Sequence, residues 1–592
     1  MKLSNNPILF LAVRLWKYAE GNRKKVILYV LLSIVANGVS SLWPLVMAKL
    51  LNVVQARGVT NESLPLLLIY LGIFFLISLV FWTFHGPSRL IEQKNAFWVR
   101  ANYKKYLLDG VMALPIEWHV DHHSGDTIDK VEKGTTSLFR FSEDSFEIIE
   151  ASVRLITSCI ILSYFNYYAG FIVLAVVIFT ITLITQFDKV LVKQYKEIYS
   201  AENKISEKVF DSISNITTVI ILRIEKLVSS AIYEKIMAPF KLVVRNNRIN
   251  ETKWFFVSVC SSLMTVLVLG SYFLANINAG TVILVGTVYA LYGYVDRISD
   301  IFFRFASMYG IIVQRKSAVM NAEELAKDFS DIKRVKQIEL KANWRELKIS
   351  GLSFSYHPYH GAELHLDNVS MTIKNGARIA LIGESGSGKT TFLKIIRELY
   401  SPQDIQLYLD GKLLKEGFKS ISEDIALIPQ DPEIFSTTIR ENITMGINYK
   451  PAYIKKFTDM ACISDVIESL PKKLDSNIVE KGVNLSGGEK QRLALARGLM
   501  ACDDKSIVLL DEPTSSIDTQ NELIIFQNIF AKFKKKSILA SIHRLHLLRL
   551  FEEIYFFKDG KIIASGTLEQ LLKDSPEFVE LWEKYQTVNK QE

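Results

Sequence analysis

Cysteine and proline are scarce in this sequence, with 4 and 14 among its 592 residues. The cysteines form no C-x-x-C pair and stand at no spacing to histidine that suits zinc, so neither a disulfide framework nor a zinc centre is expected. We interpret them as small apolar residues of the interior. They are Cys159, Cys260, Cys462 and Cys502.

No cleavable signal peptide is evident near the amino terminus. The stretch Pro7–Tyr18 is short, contains Arg14 and Lys17, and lacks a small-residue cleavage site. It fits an amphipathic helix at the cytosolic interface of a membrane, anchored by Trp16 and Tyr18. A helix facing solvent would show a similar pattern and remains an alternative.

Long apolar runs are confined to the first half of the chain, whereas the pattern from about Leu347 onward alternates as in a soluble α/β domain. The net charge of +8 suggests nucleic-acid binding at first sight. The basic residues cluster beside the apolar runs, however, as membrane topology requires. We therefore expect two or more domains, a lipid bilayer as surroundings and no nucleic-acid partner.

Six apolar runs are long enough to cross a bilayer, which takes roughly 20 helical residues. They form three pairs, with short links inside each pair and long links between pairs. The long links and the amino terminus are rich in lysine and arginine, whereas Arg57 is the one basic residue of the short links. Because positive residues stay inside, the long links, the amino terminus and the second half are predicted to be cytosolic. The runs are Val26–Val53, Leu66–His85, Ile148–Phe165, Ala169–Phe187, Trp254–Ile277 and Ala279–Val295.

The long links show helix-like apolar spacing, so the spanning helices are expected to continue beyond the membrane. Turns near Ser124–Asp126 and Ser212–Thr218 would present short helices to the second half of this chain or of a second copy. Polar residues in the spans either line a substrate path or form interhelical hydrogen bonds and an interfacial aromatic belt. They are Asn37, Arg154, Tyr289, Tyr292 and Tyr294, followed by Asp296 and Arg297.

The second half contains a phosphate-binding loop. A predicted buried strand, Ile379–Ile382, runs into G-E-S-G-S-G-K-T, and Thr391–Leu399 continues as a helix. The glycines let backbone N–H groups wrap phosphates, and the helix start adds positive potential. Lys389 is expected to reach the β- and γ-phosphates, and Thr390 to bind Mg²⁺. The loop residues are Gly383, Glu384, Ser385, Gly386, Ser387, Gly388, Lys389, Thr390 and Thr391.

A second predicted strand, Ile507–Leu510, ends in Asp511 and Glu512. An acidic residue at a strand end beside a phosphate loop is a typical Mg²⁺ partner, which assigns Asp511. Glu512 points elsewhere and is a candidate base for the attacking water. A solvated acidic pair is the plainer alternative, although both residues lie in an otherwise apolar stretch.

A second glycine pair stands in L-S-G-G-E, over Leu485–Glu489, ahead of a strong helix pattern. Small residues at a helix amino terminus suit an anion. Because the chain already has a phosphate loop, this cradle is redundant unless it serves the nucleotide of a neighbouring chain. The motif therefore indicates a dimer with nucleotides at the shared face. The cradle residues are Ser486, Gly487, Gly488 and Glu489.

In order along the chain, these motifs resemble those of ATP-binding-cassette (ABC) ATPases, whose signature is L-S-G-G-Q. The resemblance implies that Tyr356 stacks on adenine, that Gln430 contacts Mg²⁺, and that His543 contacts the γ-phosphate. It also implies that Ser515–Asp518 crosses the dimer. Two departures are Glu489 in place of the usual glutamine, and a reduced form, Glu480–Gly482, of the G-E-R-G-like turn of exporters.

The first half is similar to the six-helix, domain-swapped (type IV) exporters of this family, through Leu114–His119 with Ser124–Asp126 and through Ile213–Val219. The fold expected is a membrane all-α six-helix transmembrane domain fused to a cytosolic α/β P-loop ATPase domain. Residues 1–320 would be the transmembrane domain, with an N-terminal interfacial helix and two long cytosolic coupling loops. Residues 321–345 would be a linker and residues 346–592 the nucleotide-binding domain.

The function expected is ATP-driven export of an amphipathic, lipid-like or drug-like substrate, by alternating access of a dimer of half-transporters. A homodimer is the default and a heterodimer stays open. ATP and Mg²⁺ are the expected cofactors, and a bacterial inner membrane is the expected location. An ATP-gated channel or a regulatory membrane subunit on the same scaffold is the alternative. Glu512 and His543 are the expected catalytic residues, and Thr390, Gln430 and Asp511 the metal ligands.

Overall fold

A computed structural model describes residues 6–122, 124–329, 336–340, 343–356, 365–430, 433–478 and 485–589. The chain divides into two compact units, one of residues 1–114 with 122–332 and the other of residues 115–121 with 333–592. Through the described part of the first unit, the regular structure is helical. Its helices are α1 (Pro7–Tyr18), α2 (Arg23–Ser40), α3 (Trp43–Arg57), α4 (Leu64–Met112), α6 (Ser124–Glu143), α7 (Ser145–Phe165), α8 (Tyr167–Ser214), α9 (Ile216–Ile221), α10 (Glu225–Met237), α11 (Phe240–Ala279) and α12 (Val285–Asp328), while α5 (Ile116–Asp121) belongs to the second unit.

Several helices are much longer than a membrane is thick. The 49 residues of α4 rise about 1.5 Å each and give a length of roughly 70 Å, more than twice the hydrocarbon core. Helices α8 and α11 have 48 and 40 residues, which fits the expectation that the spanning helices extend beyond the bilayer. Five helical stretches of the described chain are long and apolar enough to span: Arg23–Arg57, Leu64–Met112, Ser124–Phe165, Tyr167–Ser214 and Glu225–Ala279.

Two predicted spans differ in detail from the helices, although the first lies within the spanning stretch Arg23–Arg57. The run 26–53 is broken, because α2 ends at Ser40 and α3 begins at Trp43. The run 279–295 starts too early, since Gly280 ends α11 in the left-handed region, with φ of 63°, and α12 begins only at Val285. Among the described helices, α12 falls short of the apolarity of a span because Asp296, Arg297 and Asp300 interrupt its sequence.

The break between α2 and α3 explains two polar residues of α12. A helix end leaves carbonyl groups without partners, and in a membrane these must be satisfied within the protein. The Tyr294 hydroxyl donates to the Ser41 carbonyl at 2.6 Å, and the Arg297 guanidinium donates to the Ser40 carbonyl at 3.2 Å. For these two side chains, the interhelical hydrogen-bonding alternative is therefore what the structure contains.

The amino-terminal helix α1 is capped by the Asn6 side chain, which accepts from the backbone N–H groups of Ile8 and Leu9. Trp16 is exposed, as an interfacial anchor would be. Tyr18 is not such an anchor, because it is buried with its ring 4.4 Å from that of Tyr103. Spacing along a helix could not distinguish these two faces before the packing partner was known.

The long helices α4 and α8 are each followed by a six-residue helix, α5 and α9. The chain turns at Asn215 after α8, within the predicted 212–218. The first turn lies earlier than expected, since α4 ends at Met112 and Ser124–Asp126 is already the first turn of α6.

The second unit contains two sheets. One is antiparallel, in the order β2-β1-β4-β5, and the other has six strands in the order β10-β9-β3-β8-β7-β6. Its strands are β1 (Glu346–Phe354), β2 (Leu366–Lys374), β3 (Arg378–Ile382), β4 (Asp404–Leu409), β5 (Lys412–Leu413), β6 (Ile425–Ile428), β7 (Ile507–Asp511), β8 (Ser537–Ser541), β9 (Glu553–Lys558) and β10 (Lys561–Gly566). Its later helices are α13 (Lys389–Ile396), α14 (Ile439–Thr444), α15 (Pro451–Met460), α16 (Ser464–Ser469), α17 (Gly487–Ala501), α18 (Thr519–Lys532), α19 (Leu568–Asp574) and α20 (Pro576–Asn589).

The larger sheet is parallel from β9 to β6, and its central strands β3, β7 and β8 are buried on both faces. Along β3, Ala380 and Ile382 belong to one hydrophobic core, and Ile379 and Leu381 to the core on the other face. Parallel strands end at a common edge, so the chain that leaves β3, β6, β7 and β8 emerges on one side of the sheet. That edge holds the candidate site.

Candidate nucleotide site

The phosphate loop joins β3 to α13, and two of its glycines are required by space. Gly383 has φ of 144°, and a Cβ atom there would lie 2.2 Å from the Phe557 carbonyl oxygen. Gly388 has φ of 103°, and its Cβ would lie 2.7 Å from Leu366 Cδ2. Any other residue would push the loop away from the strands beside it. The tip of the loop, Glu384–Gly386, is exposed.

Lys389, the first residue of α13, is folded onto the loop and buried. Its ammonium group donates to the carbonyl oxygens of Gly383 at 2.8 Å and Glu384 at 2.9 Å, and to Ser387 Oγ at 3.3 Å. Burial lowers the pKa of Lys389, and the carboxylates of Glu512 and Asp511 oppose that shift. The loop thus carries a charged group that its own oxygens hold in place.

Asp511 ends β7 next to this loop and is buried. The Thr390 hydroxyl donates to Asp511 Oδ1 at 3.0 Å. Burial raises the pKa of Asp511, the Thr390 hydrogen bond lowers it, and the neighbouring Glu512 raises it further. A hydroxyl and a carboxylate are hard oxygen donors of the kind that Mg²⁺ takes, so this pair fits the predicted metal.

Glu512 has φ of 45°, in the left-handed region. Its carboxylate meets two side chains from other loops: Gln430 Nε2 donates to Oε2 at 2.7 Å, and His543 Nε2 lies 2.5 Å from Oε1. The candidate base is therefore held on both oxygens. Gln430 follows β6 and His543 follows β8, so the order of strands in the sheet brings these three residues together.

Tyr356 lies at the helix side of the loop, with its hydroxyl 3.3 Å from Thr391 Oγ1. Its ring packs edge-on against Tyr400, with 5.0 Å between centroids, and against Phe354 at 4.8 Å. The ring is thus fixed by aromatic neighbours beside the phosphate loop. Adenine stacking on it stays a prediction.

The L-S-G-G-E motif begins α17, with Ser486 as the N-cap. A Cβ at Gly488 would lie 3.0 Å from the Ser516 carbonyl oxygen, whereas one at Gly487 would meet nothing within 4 Å. Gly488 therefore allows close packing, and Gly487 faces open space. Among the described residues, the side chains of Ser486 and Glu489 bond to each other and not to the phosphate loop. The predicted turn Glu480–Gly482 lies outside the described residues.

Two buried residues that our sequence analysis did not identify hold the segment Ser515–Asp518. Gln491, on α17, donates to Ser515 Oγ at 2.9 Å and accepts from the Ser516 N–H at 2.8 Å. Glu522, on α18, acts indirectly: it accepts from the Thr514 hydroxyl beside the segment at 2.6 Å and from Arg544 at 3.1 Å, and Arg544 donates to the Ile517 carbonyl at 2.8 Å. The sequence signal that could have identified Gln491 and Glu522 is a polar residue on the buried face of a helix whose other buried positions are apolar.

Comparison with known proteins matches both units. The model of the ABC transporter transmembrane region matches residues 26–295, and the ABC transporter model matches residues 366–515. ATP-binding cassette sub-family B member 6 of Rattus norvegicus is 28% identical over 519 residues, which are 85% of this chain and 60% of that protein. The chain thus spans about 60% of that relative's length.

One further relative and one solved structure are also similar to this chain. The mitochondrial iron-sulfur clusters transporter atm1 of Aspergillus fumigatus is 25% identical over 84% of this chain and 69% of that protein. The solved structure of a bacterial Atm1-family ABC exporter with ATP bound has a TM-score of 0.78 at 19% identity, covering 95% of this chain and 99% of that one, so the fold is shared. The predicted fold class is confirmed. With both regions matched in order along one sequence, the chain belongs to the ABC transporter family and joins a helical transmembrane region of the exporter fold to an ABC ATPase domain.

Proposed function

We propose that this protein exports an amphipathic, lipid-like or drug-like substrate across a membrane, driven by ATP hydrolysis, as one of two chains in a dimer. The observation that carries the proposal is the convergence of Lys389, Asp511 and Glu512 at one sheet edge. Gln430 and His543 hold the candidate base from both sides there. The same chain contains a membrane region of the exporter fold.

Each residue has a chemical task at this edge. The backbone N–H groups of the loop and the ammonium of Lys389 bind the phosphates. The hydroxyl of Thr390 and the carboxylate of Asp511 would hold Mg²⁺, which neutralises charge on the phosphates when bound. Gln430 donates its amide N–H to Glu512 and keeps its amide oxygen for the metal.

Glu512 accepts the proton of the attacking water, and the hydrogen bond from Gln430 and the contact with His543 keep its carboxylate from rotating. A base that is fixed before the substrate arrives loses less entropy in the transition state. His543 lies on the exposed side of this carboxylate and would meet the γ-phosphate. An ATP-gated channel or regulatory subunit is less well supported, because the base and the histidine are both present and in contact.

The dimer follows from the second cradle. In the described chain the side chains of Ser486 and Glu489 bond to each other and not to the phosphate loop, and Gly487 faces open space, so the cradle lies where the nucleotide held by another copy could meet it. ATP bound between the two copies would draw the nucleotide-binding domains together and switch the helices from inward- to outward-facing. Hydrolysis would reset them. A homodimer is the simplest assembly, and a heterodimer with a related chain is the alternative.

The cargo and the membrane are the least constrained parts of the proposal. Few charges in the apolar runs favour an amphipathic cargo over an ion. The clustering of basic residues in the long links supports a cytosolic amino terminus and nucleotide domain. We propose a bacterial inner membrane as the location, since a bacterial exporter shares the fold; a mitochondrial membrane, as for one relative, is the alternative.

The test is ATP turnover by the full-length chain in lipid nanodiscs, with panels of lipids, drugs and peptides. Stimulation by lipids or drugs would support the proposed cargo, and stimulation by peptides alone would contradict it. Glu512→Gln should still bind ATP but lose turnover by at least roughly a hundredfold, as removal of a general base does. Glu569→Gln changes an exposed acid of α19 and should leave turnover unchanged. Hydrolysis by Glu512→Gln at the parent rate would remove Glu512 from its assigned role.

A further inference from the structure

The signature motif of this chain ends in an acid, Glu489, whose carboxylate already accepts hydrogen bonds from both donors of Ser486. Glu489 Oε2 accepts from the backbone N–H of Ser486 at 2.8 Å and from its hydroxyl at 2.9 Å. A serine hydroxyl has one proton to donate. While Ser486 donates to Glu489, its hydroxyl cannot donate to a phosphate.

The charge of Glu489 acts in the same direction. Its two hydrogen bonds from Ser486 lower the pKa of Glu489, so the side chain is ionised at neutral pH. It stands in the first turn of the 15-residue helix α17, where free N–H groups favour an anion. The nearby cation Arg492 also favours the charged form of Glu489, but its guanidinium donates to the Cys462 carbonyl, after α15, at 2.7 Å. The amino terminus of α17 thus carries an anion from its own chain.

A second capping box in the same molecule offers a neutral comparison. At the start of α19, Thr567 and Gln570 stand where Ser486 and Glu489 stand in α17. The Gln570 amide oxygen accepts from the Thr567 N–H at 2.9 Å. Gln570 takes no bond from the Thr567 hydroxyl, although both residues lie in the described chain. Gln570 therefore completes its capping box and leaves the Thr567 hydroxyl proton available. Glu489, in contrast, accepts the hydroxyl proton of Ser486.

We propose that Glu489 restrains ATP-driven closure of the two nucleotide-binding domains, by occupying the Ser486 hydroxyl and the helix end that the γ-phosphate held by the partner copy would take. The inference rests on the proposed function. The phosphate must displace a carboxylate of like charge. The ATP concentration needed to close the dimer is therefore higher than it would be with a glutamine at position 489. Glu489 acts through Ser486 and is a positioning residue.

The experiment measures closure directly. Full-length protein in nanodiscs carries Glu512→Gln to suppress turnover, and donor and acceptor dyes on the two nucleotide-binding domains report their approach as MgATP is titrated. Glu489→Gln is expected to lower the midpoint by roughly tenfold, the size of one charge-assisted hydrogen bond. Gln570→Glu is the matched control, since it makes the same exchange in reverse at a capping box outside the site, and should leave the midpoint unchanged.

Glu489→Ala provides a second variant, because it removes the charge and the side-chain half of the capping box together, while Ser486 still accepts from the backbone N–H of residue 489. Its midpoint should also fall, even though its melting temperature drops with loss of the Glu489 bonds to Ser486. An unchanged or higher midpoint in both variants would mean that Glu489 only caps α17, and would overturn the inference while leaving the proposed function in place. Failure of the parent to close at any ATP concentration would contradict the proposed function itself, and the inference with it.

Discussion

The role of Gln491 leads to a prediction whose magnitude follows from its contacts. Replacement by leucine keeps the size of the side chain but removes its bonds to Ser515 and Ser516, at 2.9 and 2.8 Å. Each hydrogen bond contributes about 1 kcal/mol net, and the Ser516 N–H loses its partner, so the nucleotide-binding domain should lose about 2 kcal/mol of stability. For a domain of this size, that corresponds to a fall of roughly 4–8 °C in melting temperature.

The assay is thermal inactivation of ATP turnover by the full-length protein in nanodiscs. Gln527→Leu, at an exposed position on α18, is the matched control and should shift the midpoint by less than about 1 °C. Ser515→Ala removes one of the two bonds and should give about half the effect. Because Ser515–Asp518 is the segment expected to cross the dimer, turnover at low temperature should fall as well. A Gln491→Leu protein with parental inactivation and turnover would show that these bonds do not hold the segment.

Two further predictions concern the phosphate loop and the metal pair. Gly388→Ala should abolish ATP binding and cost about 2 kcal/mol or more, because φ is 103° and its Cβ would lie 2.7 Å from Leu366. Gly386→Ala shares the backbone strain, with φ of 82°, but its Cβ would meet nothing within 4 Å, so it should be milder in both respects. Equal effects of the two variants on nucleotide binding and melting temperature would contradict this. Burial raises the pKa of Asp511, so its contribution to stability is full below the ordinary carboxyl pKa and is lost as pH rises through the raised value. Asp511→Asn should therefore lose turnover but have a higher melting temperature than the parent at neutral pH, and nearly the same melting temperature in acid. A lower melting temperature of the variant at neutral pH would refute the expected direction.

The sequence was sufficient for the fold class and the motifs because these depend on local pattern. Apolar runs report membrane spans through composition alone, and the strand that enters a glycine loop is recognisable without knowing its neighbours. Local pattern failed where the answer depended on a partner. Tyr18 and Trp16 have similar chemistry, and only packing against Tyr103 decides that one is buried. The break at Ser41 is likewise invisible in a run that is apolar throughout.

What only the tertiary structure decided is the arrangement around Glu512 and Ser486. Gln430 and Glu512 are 82 residues apart in sequence, and they meet because β6 and β7 are adjacent and parallel. No spacing rule covers such a contact, since it depends on strand order. Glu489 is a second example. The sequence shows that an acid replaces the usual glutamine, but whether this acid accepts the Ser486 hydroxyl depends on side-chain positions at the folded helix end. Residue types are determined by the sequence, and the hydrogen bonds that those residues make with one another are determined by the fold.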